Sequence, residues 1–231
     1  MGICRLSPVF SYFGCMENII DPYKWFKIER LEFLADGLFA IVITLLVLEI
    51  KVPVGEHVNS SSELLTLLKV QFPKFLSYIM SFVVLMLFWS NYITQFKFIE
   101  KCDRGLFLIN VYLLLGVSLV PFSTAFLSEN IHFKLAIIIY WANLIVMGTA
   151  LGIQWNYVYK NGLTERPAAE LAEVNRIFLL RGKTAMPLYT LCAALCFISN
   201  YLSIGLILFV QLCFALGIDQ KVRIAMERNR D

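Results

Sequence analysis

Beyond residue 30 the chain alternates long apolar runs with short polar stretches. Six runs separate, at about 33–50, 75–96, 106–127, 135–159, 184–199 and 201–217. A helix rises about 1.5 Å per residue and needs about 20 mainly apolar residues to cross about 30 Å of hydrocarbon, so these runs predict six transmembrane helices. The last two are short and nearly contiguous. They predict a tight helical hairpin, or a fifth helix that begins earlier, near Phe178, with Arg181 reaching back to the interface.

The polar stretches add local detail. In VPVGEHVNSSSELLTLLKVQFPKF, Ser60 is followed three residues later by Glu63 and then by apolar Leu64, Leu65, Leu67 and Leu68. That pattern is a capping box opening a short amphipathic helix on the outer face. The stretch RPAAELAEVNRIFLLRGK starts a helix at Pro167 and delivers it towards the fifth span. Asn59-Ser60-Ser61 matches a glycosylation acceptor, a tripeptide too common by chance to carry weight.

Composition agrees with the rhythm. Of 231 residues 59% are hydrophobic and 16% charged, and the mean hydropathy is +0.71, which excludes an ordinary soluble domain. The fold class is therefore an all-α integral membrane protein, with six transmembrane helices in a domain over 30–217, an N-terminal segment 1–29 and a C-terminal tail 218–231. Of the 20 Lys and Arg residues, only Lys51, Lys69, Lys74 and Lys134 fall on the side opposite the termini, so both termini are expected in the cytoplasm of a multi-pass protein of the cell membrane. The first 30 residues lack a sustained apolar core and a cleavage site, so no signal peptide is expected, and Met16 is an alternative start. The six cysteines, Cys4, Cys15, Cys102, Cys192, Cys196 and Cys213, show no metal-like spacing and read as small packing residues.

Enzyme chemistry is not suggested. The two histidines, His57 and His132, lie on predicted outer loops, and HExxH, GxSxG and Gly-rich phosphate loops are absent from the sequence. No span carries the repeated arginines of a voltage sensor, and no TVGYG filter loop is present. The last three spans do not repeat the first three, as the halves of many transporters do. No cofactor, no bound metal and no nucleic-acid partner are expected.

The informative polar residues lie in the first spans. RLEFLADGLFAIVITLLVLEIKVP, from Arg30 to Pro53, carries Asp36 inside an apolar run. An ionisable residue in a span is functional by default, but Asp36 also fits the headgroup level at a helix N-terminus, where the dipole favours an anion. At about 100° per residue Ile41, Leu45 and Leu48 form one stripe, with Thr44 inside its edge. Periodicity alone leaves that stripe as packing or lipid contact.

The Arg30–Asp36 spacing resembles the R-x-x-x-F-S-D signature of the endosomal and lysosomal potassium channel family and its single-repeat prokaryotic relatives. The family Phe and Ser correspond here to Leu34 and Ala35, with Phe33 one place early. FWSNY, at Phe88 to Tyr92, is similar to the family's Trp-x-Asn-His-His segment; Trp89 and Asn91 are retained, while Tyr92 and Ile93 replace both histidines. SLVPFSTAFL at Ser118 to Leu127 and LLRGKTAMPLY at Leu179 to Tyr189 resemble the third-helix and fifth-helix patterns, so the resemblance runs from about Arg30 to Gly217.

The resemblance implies a pore lined by the first helix of each subunit, with no re-entrant filter loop. One signature per chain implies a homotetramer. It maps the constriction to Ile41, the next apolar layers to Leu45 and Leu48, and a threonine for ion preference to Thr44. The expected function is then a potassium-permeable, modestly selective leak-type cation channel with a hydrophobic gate, whose partners are potassium ions, the lipid bilayer and copies of itself. Glu49, near the outer end, would either concentrate cations at the pore mouth or pair with Lys51. Arg30 and Asp36 read as a structural network with Trp89, Asn91 and Ser123 or Thr124, because Asp36 lies about 140° from Ile41 on the wheel. The competing reading is a small secondary transporter or proton-coupled carrier with Asp36 as its coupling acid; a non-conducting assembly subunit is the third.

Overall fold

The computed structural model describes residues 27–50 and 60–217. The segment 1–26, Lys51, His57 and Asn59, and the tail 218–231 lie outside the described residues. Every regular element among the described residues is helical: α1 Ile28–Leu45, α2 Ser61–Val70, α3 Phe72–Phe96, α4 Arg104–Ser118, α5 Val120–Glu129, α6 Lys134–Asn161, α7 Ala168–Ala194 and α8 Asn200–Ala215. A 3-10 turn, Leu46–Glu49, continues α1, and another, Leu195–Phe197, follows α7. Among the described residues four stretches are long and apolar enough to cross a membrane: Ile28–Glu49, Phe72–Phe96, Arg104–Glu129 and Lys134–Asn161. The chain is thus a multi-pass membrane protein.

Polar side chains set several boundaries. Ser60 caps α2 as its spacing predicts, its Oγ accepting from the Glu63 N–H at 3.3 Å. Asp103 caps α4, accepting from the Leu106 N–H at 2.8 Å, and its other oxygen accepts from the Tyr157 hydroxyl at 2.7 Å, tying α4 to α6. α6 closes at Gly162, whose φ of 62° suits glycine. Ser199 caps α8, and Ser203 donates to the Cys192 carbonyl at 2.7 Å, closing the α7–α8 hairpin.

Two helices differ from expectation. The third run is not one helix: it breaks at Leu119, between α4 and α5. Pro121 has no N–H to give the Val117 carbonyl, so the α-helical ladder is interrupted there. The fifth helix is one helix of 27 residues that starts at Ala168, as the Pro167 signal predicts, and runs through Pro187 to Ala194, so the span expected over 184–199, or from near Phe178, is the later part of a longer helix. Its first sixteen residues carry Glu170, Glu173, Arg176, Arg181 and Lys183, which explains why hydropathy finds only the remainder.

The helices pack in two apolar zones. Leu31, Ala35, Phe39, Val42 and Leu46 of α1 and its 3-10 turn recur at helical spacing and pack with Leu85, Tyr92 and Phe96 of α3 and Leu113 and Val117 of α4. Met80 and Val84 of α3 meet Ile137, Tyr140 and Leu144 of α6 and Ile204, Ile207 and Val210 of α8 in the second. α3 contributes to both zones and so holds α1 against the rest of the bundle.

Candidate functional site

α1 has two apolar faces, and only one is used. Ala35 is fully buried and Phe39 and Val42 nearly so, whereas Ile41 is 56% and Leu48 69% exposed. Leu45 is exposed with them, as are Phe33 and Leu34 nearer the start of the helix. The bare face is continuous over the length of the span. Its apolar character excludes water as the intended cover, leaving lipid or further copies of the chain.

Thr44 sits in that bare face. Its hydroxyl donates to the Ile41 carbonyl at 2.7 Å, one turn back. The hydroxyl proton is therefore committed inward, and the oxygen turns its lone pairs away from the helix. Any species meeting this oxygen meets an acceptor. Glu49, at the end of the 3-10 turn, is half-buried and forms no ion pair with a described residue.

The polar residues named beside this stripe divide into separate groups. Trp89 of α3 donates its indole N–H to Asp36 at 2.8 Å, which ties α1 to α3 on the side away from Ile41. Arg30 is exposed and forms no ion pair with a described residue, Asp36 included. Asn91 faces another way: its amide donates to the Leu87 carbonyl at 2.9 Å, and its oxygen accepts from Arg181 of α7 at 3.3 Å. Trp89 and Asn91 are two residues apart and so point to nearly opposite sides of α3. Ser123 and Thr124 do not reach Asp36 either. Thr124 lies 2.7 Å from the Ser81 hydroxyl, and Ser123 accepts from Asn143 at 3.1 Å.

Several polar residues that hold the bundle were not singled out from the sequence. Tyr92, nearly fully buried, donates to the Leu31 carbonyl at 3.4 Å and accepts from Asn110 of α4 at 3.2 Å, so one hydroxyl joins α1, α3 and α4. Gln95 donates to the Leu151 carbonyl at 3.2 Å and accepts from Gln154 at 3.1 Å, joining α3 to α6. The signal that would have found them is periodic: Tyr92 and Gln95 fall on the buried face of α3, and Gln154 on that of α6, at helical spacing. Among the described residues no three His, Cys, Asp or Glu side chains gather as a metal site, and Cys102, Cys192, Cys196 and Cys213 form no disulfide.

Comparison with known proteins adds three findings. The family model described as Endosomal/lysosomal potassium channel TMEM175 matches residues 30–121. A potassium channel of Chamaesiphon minutus is 35% identical over 196 residues, covering 81% of this chain and 93% of its own, and a potassium channel of Streptomyces collinus is 32% identical over 165 residues, covering 69% and 79%. The crystal structure of a lysosomal potassium-selective channel TMEM175 homolog from Chamaesiphon minutus superposes with a TM-score of 0.71 at 30% identity, covering 82% of this chain and 96% of that one.

Proposed function

We propose that this chain, which belongs to the TMEM175 potassium channel family, forms a potassium-permeable cation channel whose pore wall is α1. The observation that carries the reading is the bare stripe of Ile41, Leu45 and Leu48 on a helix whose opposite stripe is buried. Four copies arranged about one axis would cover that stripe and build a neck from it. Six helices per subunit complete the arrangement, with α7 and α8 as the fifth and sixth spans. Both termini then lie in the cytoplasm of a cell-membrane protein, in keeping with the distribution of Lys and Arg.

The chemistry of such a neck follows from helix geometry. The carbonyls of a continuous helix are spent on its own hydrogen bonds, so they cannot form rings that replace an ion's water. Selection in this account comes from partial dehydration at Ile41 and Leu45. Potassium holds its water less tightly than sodium and loses less on entry. Little replaces the water that is shed, so discrimination is modest, and the same apolar ring closes by dewetting. The Thr44 oxygen, already turned outward as an acceptor, offsets part of the cation's loss. Glu49 raises the cation concentration at the outer mouth.

The Asp36 bond argues against a proton-coupled carrier. The indole N–H of Trp89 donates to the carboxylate, a fastening that needs no proton cycle. Purified protein in liposomes, assayed for potassium and sodium flux and crosslinked to count subunits, separates the readings. A channel gives non-saturating flux down either gradient and crosslinks up to four copies. Saturable uptake driven by a proton gradient would favour the carrier, and no flux at all would leave an assembly subunit.

A further inference from the structure

We propose that Ser123 and Asn143, with Ser81, Thr124 and Tyr140, are positioning residues for the Glu49 end of the pore wall, an inference that rests on α1 being that wall. None of the five belongs to α1. They clamp the first turn of α5 just past the break at Leu119. The Val120 carbonyl accepts from both the Ser123 hydroxyl at 3.0 Å and the Thr124 hydroxyl at 2.7 Å. From α6, Asn143 donates to the Ser123 oxygen at 3.1 Å. From α3, the Ser81 hydroxyl lies 2.7 Å from that of Thr124 and 3.3 Å from that of Tyr140, itself on α6. All five side chains are buried.

The clamp reaches the pore wall through one apolar contact zone. Pro121 leaves the turn between α4 and α5 without a full α-helical ladder, so side chains from α3 and α6 define where α5 begins. Val117 and Val120, on either side of the break, are completely buried in the same core as Leu46 and Leu85. Leu46 opens the 3-10 turn that packs on α3 and α5, and it is flanked by Leu45 and followed by Leu48 two residues on. A shift of the first turn of α5 therefore moves the surface on which Leu46 rests, and with it the layers formed by Leu45 and Leu48. Close packing transmits such a shift instead of absorbing it.

The test compares Ser123→Ala and Asn143→Ala with Ser203→Ala. The last removes an equally buried hydroxyl, bonded to the Cys192 carbonyl at 2.7 Å in the α7–α8 hairpin. Single-channel conductance and the potassium-to-sodium permeability ratio are measured in planar bilayers, beside thermal stability in detergent. The first two variants are expected to change conductance and lose part of the potassium preference, while Ser203→Ala loses stability alone. Unchanged conductance and ratio in Ser123→Ala and Asn143→Ala, with only a loss of stability like that of Ser203→Ala, would overturn the proposal. Should Asn143→Ala fail to fold, Ser123→Ala, which removes a single oxygen, decides the matter. A wild-type protein without potassium flux would bring down the pore reading itself, a different failure from a conducting protein indifferent to the clamp.

Discussion

Thr44 and Asp36 are the two residues whose roles the hydrogen bonds sharpen most. A threonine in a span has two uses, back-bonding within its helix or meeting a ligand, and the bond to the Ile41 carbonyl makes these compatible, since donating inward leaves acceptor pairs outward. Thr44→Ala is expected to bring potassium and sodium permeabilities closer together while assembly is kept; reversal potentials under bi-ionic conditions measure this, and an unaltered ratio leaves the apolar neck as the whole filter. Asp36→Asn keeps an oxygen for the Trp89 indole to donate to, so conduction should survive it. A carrier that uses the carboxyl for coupling would lose uptake altogether. Trp89→Phe removes the donor and should lower stability by about 1.5 kcal/mol, the low end for a hydrogen bond to a charged group because Asp36 is exposed, read as a drop in melting temperature.

At the scale of elements, what was legible in the sequence was whatever repeats locally. The stripe of α1 and the Ser60–Glu63 box are patterns within one helix, and both needed only spacing to be seen. The partners of Asn91, Ser123 and Thr124 were not legible, because a side chain's neighbour across the bundle depends on the azimuth of two helices and not on either sequence alone. Asn91 turned to Arg181, and Ser123 to Asn143. The break at Leu119 had its sign in Pro121, yet a proline inside a span is also met as a mere kink, so spacing could not distinguish one helix from two. The start of α7 was legible at Pro167, but its apolar span was placed too late, since hydropathy registers only the part of the helix beyond its charged residues. Its contact with α6 offers a direct test. A Cβ at Gly148 would strike the Met186 side chain, so Gly148→Leu should destabilise the bundle by about 1–3 kcal/mol, the usual cost of overpacking. Adding Met186→Ala should restore much of that loss; a double variant no more stable than Gly148→Leu alone would place the strain elsewhere.

At the scale of the whole molecule, the proposed pore makes one chain an incomplete object. Its core is closed on the side where α3 holds α1, through the Tyr92 and Trp89 contacts and the packing of Phe39, Leu85 and Phe96. It is open on the side of Ile41, Leu45 and Leu48. Family membership was legible from four ordered motifs because those motifs are local, whereas the closed and open sides of α1 emerge only when the helices are packed. On the proposed reading, subunit copies around a shared axis would give the open side its complement and turn an exposed apolar stripe into a constriction. The measurement that tests this most directly is potassium and sodium flux through Ile41→Asn in reconstituted liposomes beside the wild type. A polar side chain at the constriction should wet the neck, raising flux and lowering potassium preference. Flux and preference equal to the wild type, in a variant that folds and assembles, would remove Ile41 from the pore and with it the claim that α1 is the pore wall.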